Sequence, residues 1–358
     1  MTNKSELRQL CWNGIPDEHR AEAWQILVGY IPLERARRQE TLGRKRKDYA
    51  SIALSTSWDS SAKSDEGTYI LNQIQKDILR TAGDLPLFQD KRIQLRLERL
   101  LYTWACRHPA ISYVQGMNDI VVPFFIVFLQ SHCVERQIYF TVEVLEKVEA
   151  DCFWCLSKLI SSIQDHYTPG QHGVQRMLSR LENLIGVVNY ELSQHIKNNG
   201  IDVIHFSFSW MNCLLVQELP HRCVMRLFDT YLSEENGFGD FHVYVCAAFL
   251  NGFSSKIMAL DHDGLMEFLT HIPMEEISPS RVEVMLSQAY VWYELYKESK
   301  AHLLCSRQTK TKTKTSVEHM KRNYSCFPPY LMKLYKNIML PEKVRAEGDS
   351  SATTVSEI

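Results

Sequence analysis

A chain of 358 residues with 45% apolar and 11% aromatic content can bury a large core in one domain or two closely packed ones, which excludes an intrinsically disordered protein. Its formal charge of −2 lacks the basic footprint of a phosphate-backbone binder, so nucleic acid is excluded as the expected partner. The N-terminal MTNKSELRQLCWNG has no apolar signal core, and the longest apolar stretches, around 120–129 and 241–250, fall short of a bilayer span.

A soluble, cytoplasmic protein is therefore expected. The ten cysteines have no regular spacing and fit buried thiols in a reducing compartment better than a disulfide framework. Ser356-Glu357-Ile358 carries no lipidation box.

Along the chain, apolar positions recur at three and four residues almost everywhere, and no alternating run is long enough for a sheet, so an all-α fold is expected. Gly14-Ile15-Pro16 followed by Asp17 and Glu18 predicts a helix start and Gly29 its stop, with Trp24 and Leu27 on the buried face. The next helix, over 33–50, carries Arg35, Arg37, Arg38, Arg44, Lys45, Arg46 and Lys47, read either as a solvated face or as a peripheral contact for acidic lipid or an acidic partner.

Residues 51–67, rich in serine with Asp and Gly, predict a loop or insert. Ile70, Ile74 and Ile78 then form an i, i+4, i+8 stripe. Gln73, Asp77 and Arg80 fall on another face, which brings an acid and an arginine together near that helix's C-terminal end. Pro86 closes the connection to a long buried helix marked by Ile93, Leu97, Leu100, Leu101 and Trp104. That helix stops at His108-Pro109 and leaves 110–117 as a loop.

Further helices are expected over 145–163, 174–188, 204–219, 224–232, 241–258 and 265–272, and Ser278 with Pro279 caps another that runs to about Ser299. Residues 307–316, with the repeat TKTKTKT, predict a flexible basic linker before a short helix at 329–340 and a disordered tail.

The sequence contains neither G-x-x-x-x-G-K-[ST] nor G-x-G-x-x-G, so no nucleotide-phosphate site of its own is recognisable, and no H-E-x-x-H zinc pattern is present. Cys152-Phe153-Trp154-Cys155 is a C-x-x-C inside a strongly periodic helix without a second pair, which favours structural thiols over redox or zinc chemistry. His166 and His172 around a Pro-Gly turn, and His262 between two aspartates, read as loop and cap histidines before metal ligands.

Two segments remain. Ile74-x-x-Asp77-x-x-Arg80 and Tyr113-Val114-Gln115-Gly116-Met117 resemble, in matching order, the two signature motifs of the TBC-domain (Tre-2/Bub2/Cdc16) Rab GTPase-activating proteins. Arg20-x-x-x-Trp24-x-x-Leu27, the block 208–220 and Leu227-Phe228-Asp229-Thr230-Tyr231-Leu232 extend the resemblance over residues 7–299. The segments CWNGIP, RHPAISYVQGMNDIVVPFF and FHVYVCAAFL look most like the subgroup of the fungal Golgi Rab GAP and the animal TBC-domain family member 22 proteins.

The resemblance implies a V-shaped, all-helical domain of two subdomains, 1–200 with the catalytic fingers and 201–304, followed by a linker, short helix and tail over 305–358. It implies a Rab-type GTPase in its GTP form as partner, one of the early secretory pathway or Golgi, with GTP and Mg²⁺ held by that partner and no cofactor on this chain. It places Arg80 and Gln115 as the two groups inserted in trans. Asp77 is then expected to hold the guanidinium, and Gly116 to allow close backbone approach beside Tyr113.

Three positions depart from the family pattern: Ser209 and Gln217 stand where arginines are usual, and Phe228 where a tryptophan is usual. Loss of two cations leaves a second reading open, a catalytically silent TBC scaffold that binds Rab or adaptor proteins.

Overall fold

The three-and-four repeat folds, in the computed structural model, into fifteen α-helices among the described residues, which are 3–56, 58, 64–134, 137–138 and 141–297. In order they are α1 (Lys4–Cys11), α2 (Asp17–Leu27), α3 (Arg35–Ser55), α4 (Asp65–Ile78), α5 (Lys91–Arg107), α6 (Met117–Gln130), α7 (Val142–Ser162) and α8 (His172–Val188). They continue as α9 (Tyr190–Asn198), α10 (Ile204–Cys213), α11 (His221–Ser233), α12 (His242–Asn251), α13 (Ser254–Ile257), α14 (His262–Thr270) and α15 (Pro279–Tyr296). Extended structure among the described residues is confined to a two-residue antiparallel pair, β1 (Cys133–Val134) and β2 (Gln137–Ile138), with Cys133 opposite Ile138.

The centre is α6. Met117 to Leu129 are all buried, because this segment has no polar face to turn outward, and α7, α5, α4, α2, α10 and α11 pack around it. The stretch read above only as too short to span a bilayer is thus the core helix. Trp24 of α2 and Phe228 of α11 lie 5.5 and 6.0 Å from the Phe124 ring of α6, so one aromatic cluster locks three helices together.

Beside that cluster the carboxylate of Asp229, fully buried, accepts from the Ile15 N–H at 2.9 Å, the Trp24 indole at 2.6 Å and the Arg20 guanidinium at 3.2 Å. Burial lifts this carboxyl above its ordinary range, while Arg20 and the two N–H donors pull it back down. Sequence separations above 200 residues are closed here, and α1 and α2 cross the expected boundary at residue 200 to pack on α11.

Several elements differ from their sequence expectation. Asn3 and Glu6 form a capping box that starts α1, a helix not expected. Helix α9, begun by the Asn189 cap, is likewise additional to the expected elements. Helix α3 runs past Ala50 to Ser55 because Tyr49 and Ala53 continue the buried stripe of Leu42; within 51–67, residues 57 and 59–63 lie outside the described ones.

The helix expected over 204–219 stops at Cys213, where Leu214 and Leu215 both take left-handed backbone, at φ +56° and +60°. Their complete burial outweighs the backbone strain. The 241–258 helix breaks at Gly252-Phe253 into α12 and α13. The basic linker, the 329–340 helix and the tail lie outside the described residues.

Replacing Asp229 by Ala strands a buried indole N–H, a backbone N–H and a guanidinium at once. It is expected to cost about 3–5 kcal/mol, read as a lowered urea midpoint at unchanged helix content in the native baseline.

Candidate functional site

Helix α4 ends at Ile78, and Arg80 lies in the turn that follows, its backbone N–H donating to the Asp77 carbonyl at 3.1 Å. Asp77 and Arg80 come together at the end of α4 as the spacing predicts, but Arg80 lies just beyond the helix and not on a face of it. Asp77 is 3% exposed and sits with Ile74 and Ile78 inside the protein, whereas the Arg80 side chain is 62% exposed and reaches back to donate from Nη2 to Asp77 Oδ1. Next to it Leu79 leaves 68% of its surface in water.

The second segment is the loop expected over 110–117, except that Met117 already opens α6. Ser112 takes φ +59° and Gly116 φ +102°, and the loop then enters α6 with Gly116 as its first half-helical residue. Gln115, just before it, is exposed.

The two segments are tied to each other by buried polar groups. Tyr113 donates its hydroxyl to Asp77 Oδ2 at 2.6 Å. Burial and the Asp77 charge hold that hydroxyl far above its ordinary titration range, so it remains a donor. Asn118 Oδ1 accepts from the Gly116 N–H at 3.1 Å, Asn118 Nδ2 donates to Thr81 Oγ1 at 3.0 Å, and Thr81 Oγ1 donates to the Asp77 carbonyl at 2.8 Å. A single chain of donors and acceptors thus runs from the turn that carries Arg80 to the loop that carries Gln115.

Helix α10 braces the loop from behind. Asn212 Nδ2 donates to the Gln115 carbonyl at 2.9 Å, while Gln171 donates to Asn212 Oδ1 at 3.2 Å and Tyr167 to the Asn212 carbonyl at 2.8 Å. Gly116 is required on two counts: its φ is left-handed, and a Cβ there would stand 2.7 Å from both Asn212 Nδ2 and Cys213 Sγ.

Thr81, Asn118, Asn212 and Gln171 escaped the sequence reading. Asn118 follows the Gln-Gly motif directly and is the one with a local signal; the others are joined to the loop only by the fold.

The departures are satisfied internally. Ser209 donates to Glu218 Oε1 at 3.1 Å, and Gln217 Nε2 donates to Asp119 Oδ2 at 2.7 Å. Each acceptor is a carboxylate with a neutral partner, Asp119 buried and Glu218 half-buried. Burial pushes the Glu218 carboxyl up, and Asp119, with the nearby Asp77 adding to the effect of burial, is pushed up to about 6. Phe228 is fully buried against Trp24, Phe124 and Phe238.

The rival sites dissolve into structure. Cys152 and Cys155 are completely buried in α7 and their thiols are held well above the ordinary range, the reverse of an activated pair. His166 is buried, His172 and His262 are exposed, and no group of three His, Cys, Asp or Glu among the described residues could hold a metal ion.

On α3, Arg46 pairs with Asp151, Arg38 with Glu22, and Lys45 lies 3.9 Å above the Trp154 ring. That leaves Arg35, Arg37, Arg44 and Lys47 exposed among Glu34, Glu40 and Asp48, a mixed solvated face. Among the described residues no helix is long and apolar enough to cross a membrane.

Comparison with known proteins gives the family and the fold. The family model described as the Rab-GTPase-TBC domain matches residues 17–258. The chain is 40% identical to the GTPase-activating protein gyp1 of Schizosaccharomyces pombe over 304 residues, which are 83% of this chain and 59% of that protein. It is also 40% identical to human TBC1 domain family member 22B over 308 residues, 84% of this chain and 60% of the relative. The chain therefore spans about three fifths of the length of these relatives.

Its fold matches the crystal structure of the Ypt/Rab-GAP domain of Gyp1p with a TM-score of 0.77 at 40% identity, covering 82% of this chain and 94% of that one. A Chlamydomonas flagellar RabGAP TBC domain, 19% identical with a TM-score of 0.59, covering 81% of this chain and 85% of that one, shares the fold.

Substituting Gly116 by Ala combines backbone strain with a clash against Asn212 and Cys213. A loss of about 1–3 kcal/mol is expected in chemical unfolding. An unchanged midpoint would mean that the loop does not enter α6 in this conformation.

Proposed function

The chain belongs to the Rab-GTPase-TBC domain family, and on that premise we propose that it is a GTPase-activating protein for a Rab-type small GTPase in its GTP form. One observation carries the reading: two exposed side chains, Arg80 and Gln115, are mounted on separate segments that a buried network of Asp77, Tyr113, Thr81 and Asn118 holds together.

Hydrolysis of a bound GTP needs charge neutralisation on the phosphoryl oxygens and an oriented water more than it needs covalent chemistry. Arg80 can supply the first. It projects from a rigid turn, and Asp77 limits its rotamers while leaving the far side of the guanidinium free for a phosphate. Gln115 can supply the second, because a neutral amide accepts from water and donates to a phosphoryl oxygen at once. GTP and Mg²⁺ belong to the partner in this scheme, and the chain needs no cofactor.

The early-secretory and Golgi resemblance of the CWNGIP and FHVYVCAAFL segments supports a Golgi Rab as substrate and a peripheral location on that membrane. The division into a finger-bearing unit over 1–200, a second unit over 201–304 and a tail over 305–358 is proposed on the same footing.

The scaffold reading drew on Ser209 and Gln217. Both make internal bonds of ordinary length to Glu218 and Asp119, so neither leaves a broken site behind.

Tested against a panel of Rab proteins, the purified chain is expected to accelerate GTP hydrolysis by at least one member. Arg80→Ala should remove most of an effect that is roughly 10³ to 10⁵ for an arginine supplied in this way. Gln115→Ala should lower the maximal rate while leaving Rab binding intact. Equal turnover with Arg80→Ala would sink the assignment, and GTP-dependent binding without acceleration across the panel would favour the scaffold.

A further inference from the structure

Asp119 stands in the first turn of α6, four residues after Gln115, and is 9% exposed. Its carboxylate accepts from the neutral Gln217 at 2.7 Å and takes part in none of the ion pairs formed among the described residues. The charged and titratable groups that face it are Asp77 from α4, Arg80 from the turn after α4, Tyr113 from the loop and Cys213 from α10. Gln217 and Asn118 add neutral hydrogen bonds. Two buried carboxylates therefore share the field of a single guanidinium, and that guanidinium is bonded to only one of them.

The charge count changes when the arginine moves. With Arg80 on Asp77 and Asp119 ionised, the three groups sum to one negative charge. If the guanidinium turns outward to a phosphate, two buried carboxylates remain in each other's field with less cationic charge near them, and like charges resist joint ionisation. One proton on Asp119 removes that repulsion.

We propose that Asp119 is a positioning residue for Arg80: a buried acid that takes up a proton from solvent as the guanidinium leaves Asp77 for the partner's phosphates, so that advance of the arginine is coupled to proton binding. An O–H bond forms on the Asp119 carboxyl as one breaks in a solvent hydronium ion, which is left as water. The inference rests on the reading of Arg80 as the inserted arginine.

Its sign follows from the surroundings. Burial is the largest influence that pushes Asp119 up, to about 6, with Asp77 adding to it, while Gln217 and Arg80 hold it down. Withdrawal of Arg80 raises it further. At pH well below 6 the acid is already neutral and the arginine leaves freely; above that, each departure must draw a proton from solvent.

The first test reads the coupling without any partner. Carboxyl-carbon NMR titration of the full chain with aspartate-selective labelling should place Asp119 near 6 in the wild type. In Arg80→Ala it should move up by about one unit, a tenfold gain in proton affinity. In Gln217→Arg, which supplies a fixed cation, it should move down. A titration that does not respond to Arg80→Ala overturns the proposal.

The second test compares wild type with Asp119→Asn, which keeps the size and an acceptor for Gln217, from about pH 5 to 8 on a Rab that the chain activates. The ratio of wild-type to variant kcat should fall as pH rises above 6, with KM unmoved. A constant ratio overturns the proposal. If no Rab is accelerated, or Arg80→Ala is as active as wild type, the functional reading fails while the NMR titration still decides the coupling; an Asp119→Asn variant that does not fold leaves that titration in force.

Discussion

Everything at the site depends on the carboxylate of Asp77 being shared. One oxygen accepts from Arg80 and the other from Tyr113, and these donors come from segments on either side of the whole of α5. A buried carboxylate has lone pairs in excess of what one partner can use, so a second donor is the natural way to satisfy it. Here that requirement fixes the distance between the turn that carries Arg80 and the loop that carries Gln115. The side chains offered to solvent are held by groups that are buried or half-buried.

The same device recurs through the fold. Asp151 gathers Gln25, Tyr30 and Arg46, and Glu149 gathers Tyr49, Arg96 and Arg99, as Asp229 gathers Ile15, Arg20 and Trp24. Apolar packing around α6 supplies the driving force, but it is non-directional and tolerates sliding of helix on helix. A buried acid with several donors from distant segments does not, since any other register leaves a charge unpaired. These hubs explain how an all-helical domain of this size holds an exposed arginine and a loop in fixed relation.

Against those hubs, Asp119 and Glu218 stand apart. They are acids whose hydrogen bonds come from the neutral Gln217 and Ser209, so burial is the largest influence on their protonation, and Arg80 near Asp119 and His271 near Glu218 only offset it. Asp119 adjoins the network around Asp77, and this places an acid raised by burial in the field of Arg80. Loss of the cations therefore changes the electrostatics of the site without opening a gap in its packing.

Much of this was determined by the sequence alone. Helical periodicity, the Pro16 and Ser278 starts, the stop at Gly29 and the loop after His108 are local matters of backbone geometry and apolar spacing, and the folded chain shows them. Arg80 and Gln115 were legible because each sits in a short motif. Asp77 was legible as a neighbour of Arg80, but not as a buried one, since a helix face can be called inward or outward only once its packing partner is known. Asn212, Gln171 and Gln217 reach the site from 41 to 98 residues away along their bonds. Spacing in one chain carries no trace of such contacts; they exist because the left-handed turn at Leu214 and Leu215 carries the end of α10 and the residues after it against the start of α6, and only tertiary packing decides that.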